Sequence, residues 1–522
     1  MKIALLVNVK VAKKMPIPIF NSVASWFLKQ RINQIELFIK YPHEVQNELL
    51  HQLLDTAKDT HYGSNYGFEG MNNYDIFKNN VPLTTYEEFE PYIERCRRKE
   101  HNIFWPNEIK WFAKSSGTTN AKSKFIPVSE ESLQDCHYKS SKDLLCIYLN
   151  NNEDSELFLG KNLRLGGSKN IYEDNGTYFG DLSAILIENM PLWAEFSSTP
   201  SNKTSLMSEW EHKIEAIIEE CIIENVTSLA GVPSWMLVLL NNVLEKTGKQ
   251  HLLEIWENLE VYFHGGISFT PYADQYHKLI PKGDFRYYET YNASEGFFAI
   301  QDTNNSKELL LMLDYGIFYE FIPMNTFGTP NQITIPLEQV TLNTNYAIVI
   351  TTNAGLWRYI IGDTVRFTSL SPYRIKITGR TKHYINTFGE ELIIENTEEA
   401  LKSVCKKLQC EIIDYTVAPV FMEGKNKGAH EWIIEFRTIP ENIKEFTDHL
   451  DKRLMELNSD YEAKRYKNIT LNQPKIHTAQ PKLFYNWLKK HNKLGGQHKI
   501  PRLSNSRTYL EELLELNKIT VL

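Results

Sequence analysis

Apolar residues recur at helical spacing in several separate stretches of the chain. Residues 26 to 57 read as helices, the second presenting Val45, Leu49, Leu50, Leu53 and Leu54 on one face. The same spacing returns in Ile214, Ile217, Ile218, Cys221 and Ile222, and Pro233 to Lys246 forms a further helix closed by Gly248. Such stripes are core faces. Short β-branched or aromatic runs lie between them: Val261 to Phe263, Leu309 to Leu313, Ala347 to Thr352, Val365 to Thr368 and Arg374 to Thr378. Helices interleave with strands first, and strands dominate from 309 to 378, which is the pattern of an α/β body followed by a β-rich portion. After Gly379-Arg380 the pattern restarts, with Glu398 to Leu408 as helix, His430 to Phe436 as strand and Ile443 to Leu457 as helix. The expectation is an α/β protein with a large N-terminal domain over 1–378 and a smaller α+β domain over 379–522.

Composition narrows the class. At 522 residues, with 42% hydrophobic and 23% charged, the chain can bury a large core and is neither fibrous nor disordered. Its net charge of −8 and its mixed basic and acidic residues give nucleic acid no basic face to bind. Six cysteines without C-x-x-C spacing signal neither a disulfide framework nor a zinc site, which suits a reducing cytosol. The start, MKIALLVNVKVAKK, has a short apolar stretch followed by Lys10, Lys13 and Lys14 and no small-residue cleavage site, so secretion is not expected. No run approaches the ~18 apolar residues needed to cross a bilayer, so no membrane partner is expected.

Candidate chemistry concentrates in a few segments. In WFAKSSGTTNAKSKFIPV (Trp111 to Val128), Ser115, Ser116, Gly117, Thr118 and Thr119 offer hydroxyls and backbone N–H groups to phosphate oxygens, and Gly117 permits close approach. Lys122 or Lys124 supplies charge. The sequence is not that of a P-loop NTPase, and a Ser/Thr/Gly cluster taken alone is more often a plain surface turn. In ETYNASEG (Glu289 to Gly296), Glu295 sits in a tight turn among Tyr287, Tyr288, Tyr291, Phe297 and Phe298. Beside a nucleotide phosphate that carboxylate would suit Mg²⁺, and the aromatic rings could pack against a purine. In GLWRYIIGD (Gly355 to Asp363), an acid on a Gly-bearing turn between strands can accept hydrogen bonds from two ribose hydroxyls, although a hairpin-turn aspartate looks the same in sequence. Gly265-Gly266 after the strand VYFH would let a ligand lie against bare backbone. GRTKHYINTFGEE (Gly379 to Glu391) and GGQHKIPR (Gly495 to Arg502) complete the set, the latter with a glycine-flanked lysine on a loop.

In their order and separations, SSGTT, YNASEG and GLWRYIIGD resemble the three nucleotide-binding motifs of the auxin-responsive acyl-acid amido synthetases, the Gretchen Hagen family of the acyl-adenylate-forming superfamily. The resemblance extends to YAIVITTNAG, FYEFIP, the GR-x-K…G-E segment and H-K-I-P-R, over about residues 80 to 510. It implies a large N-terminal domain and a small mobile C-terminal domain that changes orientation between two half-reactions. By position, Ser115 to Thr119 would be the phosphate loop and Lys124 its basic residue. Glu295 would meet Mg²⁺ and the phosphates, Tyr291 and Ser294 would sit at the adenylate, and Asp363 would bind ribose. Arg380 would lie on the hinge side of the nucleotide, and Lys499 would be the lysine of the mobile domain. Asn120-Ala121 replaces the family's glycine, and Ile360 stands where arginine is common, with Arg358 matching the family pattern two residues earlier.

The implied reaction uses ATP and Mg²⁺ to adenylate a carboxylic acid, and an amino acid's amine then displaces AMP to form an amide. Two alternatives stand beside it: transfer to a thiol such as coenzyme A, and an inactive nucleotide-binding homologue. Fold alone does not choose the acceptor.

Overall fold

The structure, a computed structural model, describes residues 31–115, 124–166, 171–174, 176–190, 192–207, 210–266, 269–381, 385, 392–421, 427–458, 461–462, 465, 471–494, 499–504 and 506–519. Of the sequence motifs, Ser116, Gly117, Thr118, Thr119, Asn120 and Lys122 lie outside these residues, as do Lys382 to Tyr384 and Gly495 to His498.

A twelve-stranded mixed sheet organises the chain from Lys161 to Arg380. One half is parallel: Ser198–Thr199, Lys161–Arg164, Val226–Gly231, Val261–Gly265 and Arg286–Ala293 lie side by side in that order. Helices such as Pro233–Thr247 connect these strands, as parallel pairing requires. That helix starts with proline in its first turn and stops at Gly248, whose φ of +67° is left-handed, as the sequence pattern predicts. The other half is antiparallel and built of hairpins, joining Arg286–Ala293 through Gly296–Ile300 and Leu309–Leu311 to Tyr373–Arg380, Tyr359–Leu370, Asn345–Thr352 and Ile317–Pro323. Both faces are covered, so central strands such as Ile317–Pro323 and Asn345–Thr352 are apolar and buried along nearly their whole length.

One difference from the sequence expectation concerns the third motif. Asp363 is not on a turn but inside the strand Tyr359–Leu370, facing Arg380 in the register. The turn lies earlier, at Asn353 to Gly355, where Gly355 has φ +81° and a Cβ would stand 2.4 Å from the Phe104 ring. Gly379-Arg380, after which the sequence pattern restarts, closes the strand Tyr373–Arg380.

A smaller sheet of Glu411–Val420, Ala429–Thr438 and Lys475–Thr478 carries its own core. There Leu401 and Val404 of the helix Ile394–Leu408, and Phe446, Leu450 and Leu454 of the helix Ile443–Leu457, pack against Trp432, Ile434 and Val417. A four-stranded sheet of Lys124–Val128, Trp111–Ser115, Thr177–Gly180 and Tyr172–Asp174 flanks the main body. Among the described residues no helix is long and apolar enough to cross a membrane.

Candidate active site

The chemistry-bearing residues gather where the parallel half of the sheet meets the antiparallel half, at the carboxyl ends of Val261–Gly265 and Arg286–Ala293. Open α/β sheets hold ligands at such ends, because the strands diverge into loops there. A cleft of about 1890 Å³ opens at this point, lined by Gly266, Tyr291, Ser294, Glu295, Asp363, Arg380 and Lys499. Six of these residues were named from sequence as site residues, and they come from segments more than 200 positions apart.

Asp363 is the hub. Opposite it in the hairpin register, Arg380 donates from Nε to Asp363 Oδ1 at 2.5 Å. Tyr291, reaching across from Arg286–Ala293, donates its hydroxyl to Oδ2 at 2.7 Å. Burial and then the Asp363 carboxylate push the Tyr291 phenol well above its ordinary range, so it stays protonated and keeps donating. Asp363 in turn holds the Arg380 guanidinium charged, although 42% of that side chain remains open to water. A carboxylate has about four lone-pair sites, so two protein donors leave room for ligand hydroxyls.

Ser294 and Glu295 form the turn between Arg286–Ala293 and Gly296–Ile300. Burial raises the Glu295 carboxyl, Lys124 and Arg380 act against that rise, and Asp363 adds to it. Lys124 begins the strand Lys124–Val128 directly opposite Ser115, so these two residues fix both ends of the segment 116–123. The Lys124 ammonium lies 5.4 Å from the centre of the Tyr86 ring, a cation–π contact that orients it.

Lys499 arrives from the C-terminal part of the chain and donates from Nζ to the Gly266 carbonyl. The surrounding protein, then Arg380, lower its ammonium to about 7, while Asp363 opposes the shift. Its side chain is nevertheless exposed to the water of the cleft, which screens part of that effect.

Sequence reasoning passed over other residues of the cleft. Glu289 and His264 face each other in the register of two parallel strands, and both line it. Burial pushes Glu289 up to about 7, with Glu398 of the helix Ile394–Leu408 adding to the shift. Strand periodicity was the available signal, because Glu289 lies two residues before Tyr291 and therefore on the same face. Arg358, which matches the family pattern, turns away from this site. It pairs with Glu320 at 2.8 Å and donates to the carbonyls of Lys78 and Val81. Ile360 packs beside the apolar Ile322, Ala347 and Val349, so no cation replaces the family's arginine there.

Among the described residues no cluster of three or more His, Cys, Asp or Glu converges for a metal ion. A single carboxylate such as Glu295 is compatible with Mg²⁺, which binds through one or two protein carboxylates and takes its other ligands from phosphate oxygens and water.

Profiles of the GH3 family N-terminal, central and C-terminal domains match residues 31–285, 310–380 and 395–508. Jasmonoyl–L-amino acid synthetase JAR4 of Nicotiana attenuata is 24% identical over 508 residues, covering 81% of this chain and 85% of its own. The solved GH3.15 acyl acid amido synthetase superposes with a TM-score of 0.76 at 17% identity, over 94% of this chain and 96% of that one. A 2-hydroxyisobutyryl-CoA ligase in the postadenylation state reaches 0.57 at 11% identity over 91% of each chain, so the fold is that of acyl-adenylate-forming ligases. With the three domain profiles matched in order along one chain, this protein belongs to the GH3 family.

Proposed function

We propose that the protein is an acyl-acid amido synthetase that activates a carboxylic acid with ATP and passes the acyl group to the amine of an amino acid. The observation carrying this reading is the convergence of Asp363, Tyr291, Arg380, Glu295 and Lys499 on one cleft. The named relatives are amido synthetases. The adenylate-forming fold also serves a coenzyme A ligase, so the fold supports the first half-reaction and family membership supports the amine as acceptor.

Hydroxide is a poor leaving group, so a free carboxylate must be activated before an amine can displace it. In our reading the acid's carboxylate attacks the α-phosphorus of ATP, pyrophosphate leaves, and AMP becomes the group the amine later expels. Asp363 accepts the ribose hydroxyls while Tyr291 and Arg380 fix its orientation. The loop from Ser115 through Ser116, Gly117, Thr118 and Thr119, with Lys124 at its end, cradles the phosphates. Lys499 places positive charge near the reacting oxygens. Glu295 would hold Mg²⁺, which when bound neutralises phosphate charge. These contributions are preorganised electrostatics rather than attack by a protein nucleophile.

The domain division belongs to the same proposal: a large unit through 378 and a mobile unit from 379, with the join at the end of the strand Tyr373–Arg380. Free cysteines suit a reducing cytosol.

The test is acid-dependent exchange of labelled pyrophosphate into ATP in the presence of Mg²⁺ across a panel of carboxylic acids. Mass spectrometry of products formed with amino acids or coenzyme A follows. Exchange with at least one acid and an amide product is expected. Exchange followed by a thioester only would reassign the acceptor, and no exchange with any acid would overturn adenylation.

A further inference from the structure

Lys499 does not reach the cleft alone. Three residues later on the same segment, Arg502 makes a second contact with the large unit, donating from Nη2 to the Tyr272 hydroxyl at 2.8 Å. Gly266, which accepts from Lys499, follows the strand Val261–Gly265, and Tyr272 ends a short 3-10 turn just before the helix Ala273–Leu279. The segment thus meets the large unit at two points.

On its own side the segment is firmly held. It lies along the free edge of the strand Glu411–Val420, with Val417 N–H donating to the Arg502 carbonyl at 2.9 Å and Ser504 N–H to the Val417 carbonyl at 3.1 Å. The buried Thr416 hydroxyl donates to the Pro501 carbonyl at 2.5 Å. The Arg502 guanidinium stacks 4.7 Å over the Tyr415 ring, and its Nη1 donates to Asp414 and to the Tyr415 carbonyl. One planar fork is therefore satisfied on the small unit at one nitrogen and on the large unit at the other, a geometry an ammonium cannot reproduce. Tyr272 is only 3% exposed, so water does not compete for its hydroxyl.

A further contact between the units, the ion pair of Lys278 with Glu411, is of another kind. The Lys278 side chain is 68% exposed, and such pairs hold little.

We propose that Arg502 is the positioning residue for adenylation, its fork bridging Asp414 and Tyr272 so that Lys499 is held in the cleft during the first half-reaction only. The inference rests on the adenylation reading above. In the second half-reaction Lys499 must withdraw, and the Tyr272 contact must break with it, whereas the contacts to Asp414 and Tyr415 travel with the small unit.

The experiment compares Tyr272→Phe, Arg502→Lys and Lys278→Ala with the wild type in two assays: pyrophosphate exchange, and consumption of preformed acyl adenylate by the amine. Tyr272→Phe removes one oxygen from the other unit, so it tests the contact without disturbing the segment itself. Exchange is expected to fall about tenfold in Arg502→Lys and several-fold in Tyr272→Phe, with aminolysis within about twofold of wild type. Tyr272→Phe should add nothing in the Arg502→Lys background, and Lys278→Ala should change neither assay. Equal losses in both half-reactions, no loss in either single variant, or the same loss in Lys278→Ala would overturn the proposal. Amide hydrogen exchange along the helix Ala273–Leu279, which follows Tyr272 on the large unit, reads the contact independently of chemistry and should quicken in Arg502→Lys. If the wild type exchanges no pyrophosphate while these amides respond, the adenylation reading fails and the bridge stands; unresponsive amides overturn the bridge.

Discussion

Both carboxylate oxygens of Asp363 already accept a hydrogen bond from another side chain, while Glu295, in the turn after Arg286–Ala293, has the charges of Lys124 and Arg380 and a backbone hydrogen bond set against the cost of its burial. The two acids should therefore fail differently. Glu295→Gln keeps shape and removes the charge that would face Mg²⁺, so acid-dependent pyrophosphate exchange should fall by about two orders of magnitude or more, with the melting temperature little changed. Wild-type exchange in that variant would remove Glu295 from the mechanism. Glu289 gives a stability prediction instead. Its folded-state carboxyl is raised from 4.5 to about 7, so the folded protein favours the protonated form. The stability this confers is complete below the unfolded value and is lost as pH rises through about 7. Glu289→Gln should match the wild type near pH 5 and exceed it near pH 8, by about 1–2 kcal/mol after screening by water in the cleft. Chemical denaturation of the two proteins at both pH values, without nucleotide, measures this; a gap that does not change with pH would contradict it.

At the scale of elements, the turn and strand that carry GLWRYIIGD serve two ends at once. Asp363 faces the cleft, while Arg358 anchors the same strand to the helix Tyr74–Asn80 and the strand Ile317–Pro323 through Glu320, Lys78 and Val81. The Arg358 and Glu320 side chains are 4% and 1% exposed, so removing the cation leaves a buried, uncompensated carboxylate. Arg358→Met should cost about 3–5 kcal/mol, and Arg358→Met with Glu320→Leu should recover much of it. Thermal or denaturant unfolding of the single and double variants checks both statements. Arg358 also shows what sequence does not display. Helices with a clean apolar stripe, such as Pro233–Thr247 and Ile443–Leu457, could be bounded from residue spacing alone. The strand Tyr359–Leu370 could not, because Gly362 reads as a turn residue. In the sheet it instead takes φ +90° within a paired strand that shifts register between Thr364 and Val365. The strand Lys475–Thr478 gave no signal, since its pairing with Ala429–Thr438 joins residues far apart in sequence. Local motifs named Tyr291, Ser294, Glu295, Asp363, Arg380 and Lys499, which the fold brings to one cleft, whereas His264 and Tyr272 carry no motif and reach it only through the folding of distant segments.

For the whole molecule, the question is how two units share one reaction. Lys499 enters from the small unit, and its neighbours in charge lie on the large sheet, Asp363 within it and Arg380 at the join between the units. A lysine brought in this way can act in the orientation that places it there and not in the other. Lys499→Ala should therefore depress pyrophosphate exchange far more than aminolysis of preformed acyl adenylate, and equal losses in the two assays would refute alternation. The pH profile sharpens the test. Surrounding protein lowers the ammonium from 10.5 to about 7, so its charge is complete below that value and disappears as pH rises. Water in the cleft screens part of this shift, which puts the alkaline fall of exchange activity between those two values. Arginine stays charged throughout, so Lys499→Arg, even if slower, should lose the alkaline fall, whereas Lys499→Ala should show a low and flat profile. Exchange measured from pH 6 to about pH 10 in all three proteins decides the matter, because a retained alkaline fall in Lys499→Arg would assign it to another group.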